Sequence, residues 1–141
     1  MGDKKHAVLS PSSAHRWLVC TPSARMEEAF PDESSAYAEE GALAHKYAEE
    51  VLKKALEGDI YVGLLEKMEG EMRDAVIDYV IHCTELAIGL GESRTDGKKG
   101  TVSTAVEVTI PIPCTPEGFG TIDFVAHNDE TLAVVDFKYG K

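Results

Sequence analysis

The chain's apolar and polar positions change period along its length. From about Ser34 to Leu56, SSAYAEEGALAHKYAEEVLKKAL is dominated by Ala, Glu, Lys and Leu, all strong helix formers. Gly58-Asp59 marks its end. From about Val62 to Leu90, Leu64, Leu65, Met68, Met72, Val76, Tyr79, Val80, Cys83, Leu86 and Ala87 form an apolar stripe of helical period, which predicts one long amphipathic helix. His82 falls off the stripe, on the exposed side. Nearer the start, Ser10-Pro11 supplies an N-cap and a first-turn proline for a short helix, SSAHRWLVC, that Thr21-Pro22 interrupts. Trp17 and Leu18 are expected to dock on the core. After residue 100 the pattern becomes strand-like. Thr101 to Ile112 predicts a first strand, ended by Pro111 and Pro113. GTIDFVA and TLAVVDFKY then flank Asn128-Asp129-Glu130, which is a hairpin signal.

The pattern therefore predicts an α/β fold. Helices occupy residues 1–90, a polar loop 91–100 and a three-stranded antiparallel meander 101–141, all within one domain that is expected to be partial.

Within the hairpin, each strand carries an acid where an apolar residue is expected, Asp123 in the first and Asp136 in the second. With the turn centred between Asp129 and Glu130, Asn128 faces Thr131 and Asp123 faces Asp136. A two-residue or a four-residue loop gives this pairing; a three-residue loop shifts it. Directly opposed side chains have Cβ atoms roughly 4.5–5.5 Å apart, and like charges there are destabilising. The pair calls for a cation, or else the hairpin is an edge with a solvated polar face. Side chains alternate along a strand, so Lys138 shares a face with Asp136. Ala133, Val135, Phe137 and Tyr139 form one apolar face, while Leu132 and Val134 make the other apolar up to the acid.

Composition narrows the classes. Of 141 residues, 43% are hydrophobic and 28% charged, as in a soluble globular chain. Lys and Arg total 14 against 25 Asp and Glu, a formal net charge of −11. That disfavours nonspecific binding to polyanions, although a metal can neutralise part of an acidic site. No signal peptide or bilayer-length apolar run is visible. His6 stands where a myristoylation motif needs Ser or Thr. No membrane association and a cytoplasmic location are expected. Cys20, Cys83 and Cys114 are odd in number and form no C-x-x-C pair, so neither a disulfide framework nor a zinc site is indicated. Arg94, Lys98 and Lys99 make the most basic stretch, either a solvated loop or a phosphate contact.

Gly41, His45 and Glu49 recur every four residues along one helical stripe. A lone histidine there is either a metal ligand or a surface residue beside Lys46 and Glu49. The interior Gly41 costs roughly 1 kcal/mol relative to Ala, which points to a close approach. Glu107 interrupts the alternation of the first strand in a register the sequence does not fix.

GTIDFV followed by VVDFKYGK resembles the core of the PD-(D/E)XK nuclease superfamily in its RecB-like exonuclease branch. It is most similar to a phage and prophage family related to the CRISPR-associated RecB-like exonucleases. The resemblance implies the first half of a restriction-endonuclease-like core and metal-dependent hydrolysis of DNA phosphodiesters. Asp123 matches the first motif acid and Asp136-Phe137-Lys138 the D/E-x-K triplet. By that resemblance Asp123, Asp136 and the Phe137 carbonyl hold Mg²⁺ or Mn²⁺, His45 adds a further ligand, and Lys138 assists the attacking water. Glu49 and Glu107 match less specific positions. SPSSAHRWLVCTPSARMEE resembles the family's N-terminal signature, in which the residue matching Cys20 is the first iron–sulfur ligand. One thiolate cannot hold a cluster that takes four, so a cluster is expected only in a longer chain. The resembled family continues past Lys141, and the chain is expected to be a fragment or a short member. The implied partners are DNA and phage recombination or packaging proteins. The alternative is a non-catalytic accessory protein that keeps the nuclease fold as a scaffold.

Overall fold

The computed structural model describes residues 7–30, 35–59, 62–92, 100–115 and 117–140. Helices precede strands along the chain. A 3₁₀ turn at Pro11–Ser13 leads into α1 (Ala14–Trp17), followed by α2 (Ser23–Glu27), α3 (Ala36–Leu56), α4 (Val62–Leu65) and α5 (Gly70–Glu92). Then come β1 (Ser103–Pro111), β2 (Phe119–His127) and β3 (Leu132–Val135), an antiparallel sheet in the order β1-β2-β3. The expected α/β class and three-stranded sheet are present. Arg94, Lys98 and Lys99 lie outside the described residues.

The chain groups into two compact units. One comprises Met1–Glu33 and Thr109–Thr121, the other Ser34–Val108 and Ile122–Lys141. In the first unit, Pro11 starts the 3₁₀ turn as expected, but Ser10 makes no side-chain cap bond to it. Its carbonyl instead accepts the Trp17 indole N–H at 2.9 Å. Leu18 does not dock: it is 70% exposed, because α1 ends at Trp17 before a second turn can bring that face inward. The connection after β1 is a tight turn in which Ile112 N–H donates to the Gly118 carbonyl. A Cβ on Gly118 would fall 1.6 Å from Thr115 Oγ1, so only glycine fits there.

The second unit carries the main core. α3 begins where the sequence places it: Ser35 Oγ accepts the Ala38 N–H, covering one of the first turn's unpaired donors. It ends in a Schellman motif. Gly58 has φ +81°, Gly58 N–H donates to Ala55 O and Asp59 N–H to Lys54 O. The long helix expected over 62–90 is two helices. The chain leaves helical geometry after Leu65 and resumes at Gly70, whose φ is +56°. The apolar stripe runs in phase across the break, and Met68 within it is buried. α5 packs on α3. Leu52, Val76, Cys83 and Phe124 are the largest fully buried side chains, joined in one cluster by Ala44, Ala48, Ala126 and Phe137.

The hairpin register pairs Phe124 with Val135, Val125 with Val134, Ala126 with Ala133 and His127 with Leu132. That is the register predicted from the turn position, and Asn128 N–H donates to Thr131 O at its close. Phe124, Ala126 and Phe137 face the core. The other face is open, with Leu132 and Val134 both more than half exposed.

A carboxylate and histidine centre at the end of the hairpin

Three elements of the second unit converge. α3 supplies His45, β1 supplies Glu107 and β2 supplies Asp123. One ligand atom from each lies within 4.8 Å of the others, and all three residues are partly buried. His45 Nδ1 is 3.6 Å from Asp123 Oδ2. The His45 ring stands edge-on to the buried Phe137 ring, centroids 5.2 Å apart, and Phe137 in turn meets Tyr79 of α5 at 4.8 Å. Packing thus fixes the plane of the imidazole.

Asp123 also shapes the backbone. Its Oδ2 accepts the Phe137 N–H at 2.6 Å, and strand pairing of β3 stops at Val135. A carboxylate offers about four lone-pair positions, so this bond leaves most of its acceptor capacity free.

Glu107 reaches the group through an unusual backbone. Its φ is +56° in mid-strand, a conformation rare for non-glycine residues and characteristic of bulges that re-aim a side chain. Burial pushes its carboxyl pKa up, and the negative charges of Asp123 and Glu49 add to the shift, while Lys53 opposes it. Glu49 lies one turn beyond His45 on α3 and is bonded by Lys53. It acts on the site at longer range, and it is not in the triad.

Asp136 and Lys138 are arranged differently from the acids above. Lys138 Nζ is 2.8 Å from Asp136 Oδ2, and both side chains are more than half exposed. The bond to Asp136 raises the lysine pKa, which keeps it cationic. Phe137 contributes its N–H to Asp123 and its ring to His45. Cys20 is exposed in the first unit. Tyr79 and Cys83 of α5 lie beneath the centre. Burial raises both pKa values, Cys83 to about 11, and the charge of Asp123 adds to each.

Gly41 sits one turn before His45, and a Cβ there would be 3.5 Å from the Tyr139 carbonyl. The close approach expected at this glycine is real, although at that distance an alanine methyl makes ordinary contact.

The donor set is one imidazole nitrogen and two carboxylates. Oxygen donors suit Mg²⁺, and the imidazole makes Mn²⁺ equally compatible. Three ligand atoms each about 2.1 Å from one ion lie at most about 3.6 Å apart when equally spaced, and about 3.0 Å apart at octahedral angles. A shared ion therefore draws the widest-spaced side chains together by up to about 1–2 Å, a change of rotamer rather than a small adjustment. Two carboxylates this close, one with its pKa raised by burial and by the other's charge, are a pair that a divalent cation would relieve. The residues fit a divalent cation.

An α/β chain with a His/Glu/Asp centre on a three-stranded sheet is the class these observations define. Residues 6–141 match the family described as protein of unknown function DUF2800, and the chain belongs to that family. No solved structure matches it. No helix among the described residues is long and apolar enough to cross a membrane.

Proposed function

We propose that this chain carries the metal centre of a DNA phosphodiesterase of the PD-(D/E)XK type. The convergence of His45, Glu107 and Asp123 carries the reading. It is supported by the resemblance of Asp123 and Asp136-Phe137-Lys138 to the superfamily's motifs. A bound Mg²⁺ or Mn²⁺ supplies Lewis-acid polarisation of the phosphate and a more acidic water. His45, Glu107 and Asp123 are the protein's ligands, with Asp136 and the Phe137 carbonyl as the further candidates the motif names. Lys138, one residue past Phe137, offers the cation that preorganised phosphoryl-transfer sites use against developing charge. DNA, phage recombination or packaging proteins and a cytoplasmic location go with this reading.

The test is calorimetric titration of Mn²⁺ into the chain, with Asp123→Ala and Asp136→Ala beside it. One saturable site, lost in Asp123→Ala, is expected. The Asp136→Ala result separates a five-donor site from the three-residue centre. Lys138→Ala is expected to keep the metal and lose cleavage of a DNA substrate. Cleavage at the wild-type rate in that variant would refute the role of the lysine.

The non-catalytic scaffold remains the second reading, and one observation favours it: Lys138 is clasped by Asp136 on the surface. It predicts no saturable Mn²⁺ site, and partner binding through α5, where Ile81 and Ile88 are exposed.

A further inference from the structure

An open groove of about 480 Å³ is lined by Tyr37 and Glu40 of α3, Glu71 of α5, and Lys138, Tyr139 and Gly140. Its volume is in the range of small-molecule sites, roughly 300–1,000 Å³. Its walls have a definite chemistry. Tyr37 is 69% exposed. Among the described residues, no aromatic ring stacks on it. The Tyr139 ring is held in place, its hydroxyl donating to Glu40 Oε1 at 3.2 Å and its carbonyl lying against Gly41. Glu40 and Glu71 present carboxylates, which only accept hydrogen bonds. Lys138 is the single cation among the described lining residues.

This combination excludes a phosphate from the interior, where two carboxylates would repel it. It admits a flat, π-rich group that carries N–H donors, with an anion left at the rim beside Lys138. A nucleobase with an exocyclic amino group, on its sugar-phosphate, has that shape and polarity. Carboxylates accept from cytosine N4 in base recognition generally. Tyr37 and His45 are eight residues apart on α3, about 12 Å along the helix axis at 1.5 Å per residue. That is between three and four phosphate steps of a stacked strand at about 3.4 Å each.

We propose that this groove is a base-stacking subsite for single-stranded DNA, holding a nucleotide a few steps from the metal centre between Tyr37 and Tyr139. The proposal rests on the phosphodiesterase reading and deepens it. A base can enter only when it is unpaired, so the site selects single strands or frayed ends over intact duplex. Glu40 and Glu71 take its amino group, and its phosphate stays outside at the open rim, away from both carboxylates.

The experiment measures binding of a fluorescein-labelled twelve-residue oligodeoxycytidine by anisotropy. The full chain is compared with Tyr37→Ala and Tyr37→Phe, with a blunt duplex as competitor. Tyr37→Ala is expected to weaken binding by roughly 5- to 150-fold, the loss of one stacked base. Tyr37→Phe keeps the ring and should bind as wild type. Tyr37 is exposed, so its replacement spares the fold. Equal affinity in wild type and Tyr37→Ala, no binding by wild type, or equal competition by the blunt duplex would each overturn the subsite. Mn²⁺ titration of the same variants keeps the two readings apart. Metal bound without Tyr37-dependent oligonucleotide binding overturns the subsite alone. Tyr37-dependent binding without a metal site sustains the subsite and sinks the phosphodiesterase.

Discussion

Glu107 holds φ +56° inside β1 and keeps a partly buried carboxylate beside Asp123 and Glu49. Both features cost stability. Left-handed backbone at a non-glycine residue costs on the order of 1–3 kcal/mol, and the raised pKa is the signature of an unfavourable charge. Glycine removes both, at the expense of roughly 0.5–1 kcal/mol of backbone entropy. Glu107→Gly should therefore melt about 4 °C higher than wild type without metal and bind Mn²⁺ more weakly. A lower melting temperature would show that the backbone there is not strained. The left-handed backbone also explains why Glu107 could not be placed from the sequence. A left-handed residue breaks the two-residue alternation on which strand register is read, and no glycine, asparagine or aspartate marks the spot. The places of His45 on α3 and Asp123 on β2 were legible from helical spacing and the hairpin signal, but spacing paired Asp123 with Asp136, and only the family resemblance implied that His45 and Asp123 meet. Cys83 gives a second test at this scale. Its thiol is fully buried with a pKa near 11, while Cys20 and Cys114 are exposed. Iodoacetamide at pH 8 should label two thiols in the native chain and the third only on unfolding. The sign of the stability effect follows from the raised value. Burial of the neutral thiol contributes fully below its ordinary pKa of 9.0 and is lost as pH rises through about 11. The Tyr79 phenol, also raised, extends that alkaline loss.

At the scale of elements, the hairpin turn is tied to α5 by one side chain. Asn128 Oδ1 accepts the N–H groups of Glu130 and Thr131, and its Nδ2 donates 2.9 Å to the Leu90 carbonyl. Leu90 is in the last turn of α5, where carbonyls lack helical partners. Asn128 thus closes the turn and caps the helix at once, which locks β2 against the scaffold that carries Tyr79 and Cys83. Asn128→Ala leaves three backbone groups without this partner, in a place that is 9% exposed. It should destabilise the chain by about 2 kcal/mol, seen as a lower urea midpoint at unchanged m. A change below about 0.5 kcal/mol would mean that water replaces the amide. The turn itself was readable from Asn128-Asp129-Glu130, as was the end of α3 from Gly58-Asp59, a local signal, while its start was placed only approximately, at about Ser34, and the Ser35 cap is seen in the structure. The tie to Leu90 was not, since it joins residues far apart in sequence. The break between α4 and α5 was hidden for another reason. Leu64, Leu65, Met68 and Met72 keep helical phase across it, so the hydrophobic pattern has no gap where the backbone does.

For the whole molecule, the net charge of −11 sets how any nucleic acid arrives. Proteins that bind DNA through many lysines and arginines lose affinity steeply with salt, because each neutralised phosphate releases counterions. Among the described residues the groove offers one cation, Lys138, beside carboxylates, and the bulk of the chain repels a polyanion. At low ionic strength, where the Debye length is about 30 Å at 0.01 M, that repulsion acts before contact; at 0.1 M it is cut to about 10 Å. Association with the oligodeoxycytidine should therefore speed up as salt rises over this range. Dissociation should change little, because stacking on Tyr37 and Tyr139 is not screened. Stopped-flow anisotropy at several salt concentrations measures both rates. A steep fall in affinity with salt, with a slope near that of several phosphate contacts, would contradict the stacking groove as the main contact. It would direct attention to Arg94, Lys98 and Lys99, where the chain concentrates its positive charge. Mn²⁺ at saturation should raise the association rate further at low salt, since it replaces repulsion at His45, Glu107 and Asp123 with a local positive site. Asp123→Ala should show the salt effect without the metal effect.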